Sequence, residues 1–185
     1  MREFLGWQPR PVTTISQLVS SIAPLCQYLR EEVLEQLALE RRTPDGPRSR
    51  RRARKPFTAL AHHWRKVLFP STDGQDPDHL FADRYVQTIA FALLLARIEN
   101  VPLAVRNFVD VSRELKAENT VMGRALQLLT ETVDAEFARR IDTLVQVIDA
   151  VDGEAIRSRT PDAHVHLYED FLQGRTHDQR RTPHR

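Results

Sequence analysis

Few side chains in this sequence are both reactive and well grouped. Histidines cluster twice, as His62-His63 and as His164-Val165-His166. Neighbouring side chains on a helix point about 100° apart, which makes His62 and His63 a poor chelating pair. The spacing of His164 and His166 suits a strand, yet both fall in a stretch with helical pattern. His79, His177 and His184 have no partner nearby in sequence. The single cysteine, Cys26, excludes an internal disulfide and a Cys-based zinc site. Set in an apolar helical stripe, it reads as a buried, reduced thiol. Asp83, Asp110, Glu114, Asp134, Asp142 and Asp149 are the candidates for acid–base pairs. Each of them fits equally well on the solvated face of an amphipathic helix, and Asp110 and Glu114, beside Arg106 and Arg113, read as surface ion pairs. There is no Gly-x-Ser-x-Gly elbow for a nucleophile. The six glycines are scattered singly and build neither a Walker loop nor a Gly-x-Gly-x-x-Gly cradle. No metal and no cofactor is expected.

The sharpest chemical feature is charge. Between Arg41 and Lys55 (RRTPDGPRSRRRARK) eight basic residues face Asp45 alone, a local +7. Between Arg175 and Arg185 four arginines face Asp178, a local +3. The whole chain carries only +2, so the remainder is acidic at −8. Two basic segments, expected to be disordered, therefore hang on an acidic folded body. Arg48, Arg50, Arg51, Arg52, Arg54 and Lys55 are the candidate nucleic-acid contacts. Such a cluster neutralises phosphates without reading sequence, and it equally suits a solvated loop with no partner.

These residues must be positioned by helices. The chain has 185 residues, of which 41% are hydrophobic and 7% aromatic, enough for one core and poor material for an all-β fold. Thr14-Ile15-Ser16-Gln17 fits a capping box. A stripe from Ile15 through Leu18, Val19, Ile22, Leu25, Leu29 and Val33 follows it, with Pro24 expected to kink the helix before the pattern fades at Glu40. Further helices are expected at Thr58–Phe69, His79–Glu99 (with Asp78 as N-cap), Leu103–Ala117, Thr120–Thr130, Val133–Val151 and Ala163–Leu172. Their expected core residues include Leu80, Phe81, Tyr85, Val86, Ile89, Leu93, Leu94 and Ile98; Val121, Leu126 and Leu129; and Phe137, Ile141, Leu144, Val145 and Ile148. The wide apolar arc of His79–Glu99 places that helix at the centre. The fold class is all-α, an irregular bundle of about six or seven helices with a basic disordered loop and tail. The organisation is an N-terminal arm over residues 1–13, a helical domain over 14–172 with its basic loop at 41–55, and a tail over 173–185. Met1–Arg10 lacks a signal-peptide pattern and the longest apolar run, Ile89–Ala96, is too short to span a bilayer, so a cytoplasmic location without a membrane partner is expected.

Two stretches resemble a known family. Phe81-Ala82-Asp83-Arg84-Tyr85-Val86-Gln87-Thr88-Ile89-Ala90, continuing through Leu93–Arg97, is similar to the "FAD-x-Y-x-QT" helix of large adenine-specific DNA methyltransferases, the fused restriction–modification enzymes of the type ISP group. His166–Leu172 (HLYEDFL) resembles the "YEDFL" segment that precedes the catalytic domain in that family. Pro9-Arg10-Pro11 is similar to the approach to the family's first helix. The resemblance covers about Gln8 to Leu172 and has both motifs in the family's order.

After "YEDFL" the family continues into "YYTP", glycine and "NPPY" motifs, whereas Gln173–Arg185 (QGRTHDQRRTPHR) holds none of them. Its Arg-, His- and Pro-rich composition is what an out-of-frame reading of a GC-rich gene produces. The resemblance thus implies a helical region truncated where catalysis would begin, with no catalytic or S-adenosylmethionine-binding residue to carry over. The expected function is a non-catalytic spacer or DNA-contact portion of an N6-adenine methyltransferase, its partners being DNA, bound weakly and non-specifically, and the remainder of a split enzyme. The alternative is a stand-alone helical interaction or regulatory module with a basic loop.

Overall fold

The computed structural model describes residues 15–42, 55–67, 76–103, 108–131 and 135–159. Seven helices run through them: α1 (Ile15–Arg42), α2 (Pro56–Val67), α3 (Pro77–Ile98), α4 (Phe108–Glu118), α5 (Thr120–Thr130), α6 (Ala135–Asp149) and α7 (Gly153–Arg159). Helix accounts for 89% of the described residues and no strand occurs among them. The chain is all-α.

Twelve of the 22 residues of α3 are buried, and α3 packs against each of the other six helices. A helix apolar on all sides is stable only when enclosed. Ala82, Ala90, Ala92 and Ala96 are buried along it, and such short side chains let neighbouring helices approach closely. α1 lays Leu18, Ile22, Leu29, Val33 and Leu37 against this centre, and α6 contributes Phe137, Ile141, Leu144, Val145 and Ile148. Phe57, Tyr85 and Phe137 form an edge-on aromatic group, with the Phe57 and Phe137 ring centres 4.8 Å apart, and Phe81 lies tilted against Tyr85. Edge-to-face rings place a positive rim on a negative face, which adds to their area burial.

Local chemistry sets the helix ends. Asp76, not Asp78, is the N-cap of α3: its carboxylate accepts the Asp78 amide at 2.8 Å, and Pro77 occupies the first turn, where no amide is needed. At the other end Asn100 adopts φ 59. The Asn100 and Val101 amides donate back to the Arg97 and Ala96 carbonyls, a left-handed stop with buried Val101 packed behind it. Asn119 alone separates α4 from α5 and caps the latter through the Met122 amide at 3.0 Å. A Cβ at Gly123 would lie 2.4 Å from the Lys116 backbone nitrogen, so glycine is what lets these two helices touch.

Several sequence expectations change. α2 begins at Pro56 rather than Thr58, Leu103 lies outside α4, α6 ends at Asp149 rather than Val151, and α7 is a helix the periodicity did not indicate; the expected start of α6 at Val133 lies outside the described residues. α1 extends past Glu40 to Arg42, with Pro24 inside it and facing solvent. Leu80 is only half-buried, and Val121 is 76% exposed because α5 turns Gly123, Leu126 and Leu129 inward. Cys26 is half-buried against the core and free of any disulfide. Thr14, the Ala163–Leu172 helix, the N-terminal arm and the 173–185 tail lie outside the described residues.

Candidate functional site

Of the candidate phosphate contacts, Arg48, Arg50, Arg51, Arg52 and Arg54 lie outside the described residues. Lys55 stands at the threshold of α2, half-buried, with its carbonyl accepting the Ala59 amide as an N-cap residue does. A lysine side chain cannot cap, and Pro56 has no amide. The free amides of Phe57 and Thr58 are instead taken by the Glu40 carboxylate, at 3.2 Å and 2.7 Å. Glu40 is only 5% exposed. The end of α1 thus supplies a negative charge to the positive end of α2's dipole, and it fixes where the chain returns after the basic segment.

A second ionic group lies at the same end of α1. Arg41 and Arg65, from α1 and α2, both donate to the Asp78 carboxylate in the first turn of α3, one Arg41 bond measuring 2.6 Å. Burial alone would raise the pKa of Asp78; the hydrogen bonds of Arg41 and the charges of both arginines outweigh it and hold that pKa below the usual value. The same bonds, against a smaller cost of burial, raise the pKa of Arg41. Further along, Arg30 pairs with Asp83 at 2.8 Å and donates to Nδ1 of His79 at 2.8 Å. Because arginine has no acceptor, Nδ1 must accept.

The "FAD-x-Y-x-QT" residues lie on α3, with Phe81, Ala82 and Tyr85 facing inward and Asp83, Arg84, Gln87 and Thr88 half-buried. Phe81 and Ala82 are buried, and the Phe81 ring meets Trp64 at 5.6 Å. The buried Tyr85 hydroxyl donates to the Leu129 carbonyl at 2.9 Å, and burial pushes its pKa up. Thr88 donates to the Arg84 carbonyl, and Arg84 to Gln87. Every one of these contacts ties helix to helix or turn to turn. The "YEDFL" stretch and Pro9-Arg10-Pro11 lie outside the described residues.

The other candidates separate. His62 and His63 are exposed on α2, while His164 and His166 lie outside the described residues, as do His177 and His184. Among the described residues no three His, Cys, Asp or Glu side chains gather as a metal would require. Asp110 does pair with Arg113 at 3.0 Å on the surface of α4. Asp83 and Asp149 depart from the solvated reading: Asp83 meets Arg30, and Asp149 accepts the Leu103 amide at 3.3 Å. Beside Asp149, Nε of Arg97 donates to the Asp149 and Val151 carbonyls at 3.1 Å and 2.9 Å, closing the end of α6. Asp134 lies outside the described residues. Among those residues no helix is long and apolar enough to cross a membrane.

Glu40 and Arg97 are the structural residues that sequence reasoning missed. Glu40 had a signal. It follows Val33 and Leu37 at helical spacing, so it occupies a core position of the α1 stripe. Arg97 had none, since its acceptors come from a helix 52 residues away. No family model, no curated protein and no solved structure matches the chain.

Proposed function

We propose that the chain is the non-catalytic helical spacer and DNA-contact portion of a restriction–modification-type N6-adenine DNA methyltransferase, acting in the cytoplasm with the remainder of such an enzyme. The observation that supports this reading is the use made of the motif helix. Phe81, Ala82 and Tyr85 of the "FAD-x-Y-x-QT" stretch are core residues of α3, and Asp83 and Thr88 hold neighbouring groups. A segment whose apolar residues pack in the core and whose polar residues tie neighbouring turns and helices is suited to a rigid spacer.

DNA contact rests on the charge of the segment that α1 and α2 enclose. Arg48, Arg50, Arg51, Arg52, Arg54 and Lys55 are matched to a phosphate backbone by sign and density, and they offer no pattern for reading base edges. Binding is therefore weak, indifferent to sequence and steeply salt-dependent. The test replaces all six residues by Gln and titrates labelled duplex at two salt concentrations. Loss of binding in the substituted protein is the expected result. Binding that persists, or a strong preference for one sequence, overturns the reading.

A further inference from the structure

The −8 charge of the body is not spread evenly. Every helix except α2 and α5 carries at least one Asp or Glu, and of these two only α2 also carries histidines. Among the described side chains, the solvent-facing arc of α2 consists of Ala59, His62, His63 and Lys66, recurring at the spacing of one helix face. From Ala59 to Lys66 this face runs about 10 Å, the axial reach of roughly three phosphates of one DNA strand.

The end of α1 adds to it. Arg41 and Arg65 meet on the carboxylate of Asp78, and Asp76 also acts on Arg41, so these two guanidinium groups are balanced by carboxylates and the positive charge of the surface comes from the residues beside them. Each is followed in sequence by an exposed cation, Arg42 and Lys66. Glu40, the nearest acidic residue on α1, is turned inward and occupied by the amides of α2. The last turn of α1 and the outer face of α2 therefore present cations and imidazoles from backbone that is pinned at both ends, by Glu40 and by Asp78.

We infer that this face is a rigid phosphate-binding surface for duplex DNA, in which Arg42 and Lys66 neutralise backbone phosphates and His62 and His63 donate hydrogen bonds to phosphate oxygens. The inference rests on the DNA-contact reading and adds four residues to it. A rigid face complements a run of arginines. It fixes the direction in which the duplex crosses the bundle, because Glu40 and Asp78 tie α2 to α1 and α3.

The experiment titrates labelled duplex at pH 8, above the usual imidazole range, at 50 and 200 mM salt. It compares the unaltered protein with Arg42→Gln/Lys66→Gln, His62→Ala/His63→Ala and, as an off-face control, Arg124→Gln on α5. All of these positions are exposed, and circular dichroism checks that helix content is retained. Losing two phosphate contacts makes the slope of log K against log salt shallower by about 2. The histidine variant binds about three- to tenfold more weakly at both salt concentrations, with its slope unchanged. Arg124→Gln leaves the titration as it was. If Arg42→Gln/Lys66→Gln binds like the unaltered protein while loss of the six basic residues abolishes binding, this inference fails and the DNA-contact reading stands. An equal effect of Arg124→Gln also overturns it, since the attraction then has no preferred face. Absence of binding by the unaltered protein at 50 mM salt overturns both.

Discussion

Replacing Glu40 by Ala removes the only side-chain acceptors of the Phe57 and Thr58 amides among the described residues. Phe57 is buried and Thr58 partly so, and water therefore cannot fully replace the carboxylate. An orphaned buried donor costs about 1–3 kcal/mol, and loss of an ordinary N-cap costs about 0.5–2 kcal/mol. The two amides share one acceptor group, so the expected loss is about 2–4 kcal/mol rather than the sum of separate bonds. Glu40→Gln keeps one carbonyl acceptor, sets its NH2 group against the other amide and loses the charge at the helix dipole, for which about 1–3 kcal/mol is expected. Urea unfolding measures both values. Hydrogen exchange then localises them: the Phe57 and Thr58 amides should lose protection, while the Ile89 and Leu93 amides, deep in α3, change only as global stability changes. A Glu40→Ala protein within 0.5 kcal/mol of the original, with both amides still protected, would refute the account of how α2 is anchored.

Gly123→Ala sets helix propensity against packing. Propensity favours Ala by about 1 kcal/mol, but the added Cβ meets the Lys116 backbone, so net destabilisation of about 1–3 kcal/mol is expected; a stabilised variant in thermal unfolding contradicts the close approach. Tyr85→Phe strands the Leu129 carbonyl and should cost about 1–2 kcal/mol at neutral pH. The folded-state pKa of Tyr85 is raised, so its contribution is complete below the ordinary value of about 10 and is lost as pH rises above it; the gap between the two proteins in urea unfolding should narrow in that range. Asp78→Asn should cost about 1–2 kcal/mol near pH 7, a figure reduced because Arg41 is about half exposed and screened. The folded-state pKa of Asp78 is lowered, so its contribution is present above about 3.9 and lost as pH falls through the folded value; an Asp78→Asn difference that stays constant down to pH 2 contradicts the pairing.

Much of the bundle was legible because burial leaves periodicity behind. The inward positions of α6 and seven of the eight core residues expected on α3 are buried. The exceptions have physical causes. Val121 has the right spacing for a core residue, yet the approach of Gly123 to α4 rotates α5 and leaves it outside. The N-cap of α3 moved from Asp78 to Asp76 because the proline between them fits the first turn, and Asp78 was then free to collect two arginines. Long-range pairs such as Arg97 with the end of α6 leave no trace in local sequence. The candidate interface was legible as charge alone. The absence of carboxylates from α2 is already in its sequence, whereas which of its residues face solvent followed only once exposure was known.

The proposed function is that of a helical module that meets DNA through charge and performs no chemistry on it. Titration of a labelled duplex at 50 and 200 mM salt, with and without S-adenosylmethionine, tests this most directly. Weak binding that falls steeply with salt, is alike for unrelated sequences and is unaffected by the methyl donor is the expected result. Binding that tightens with S-adenosylmethionine or selects one sequence contradicts it, and so does the absence of binding at 50 mM salt.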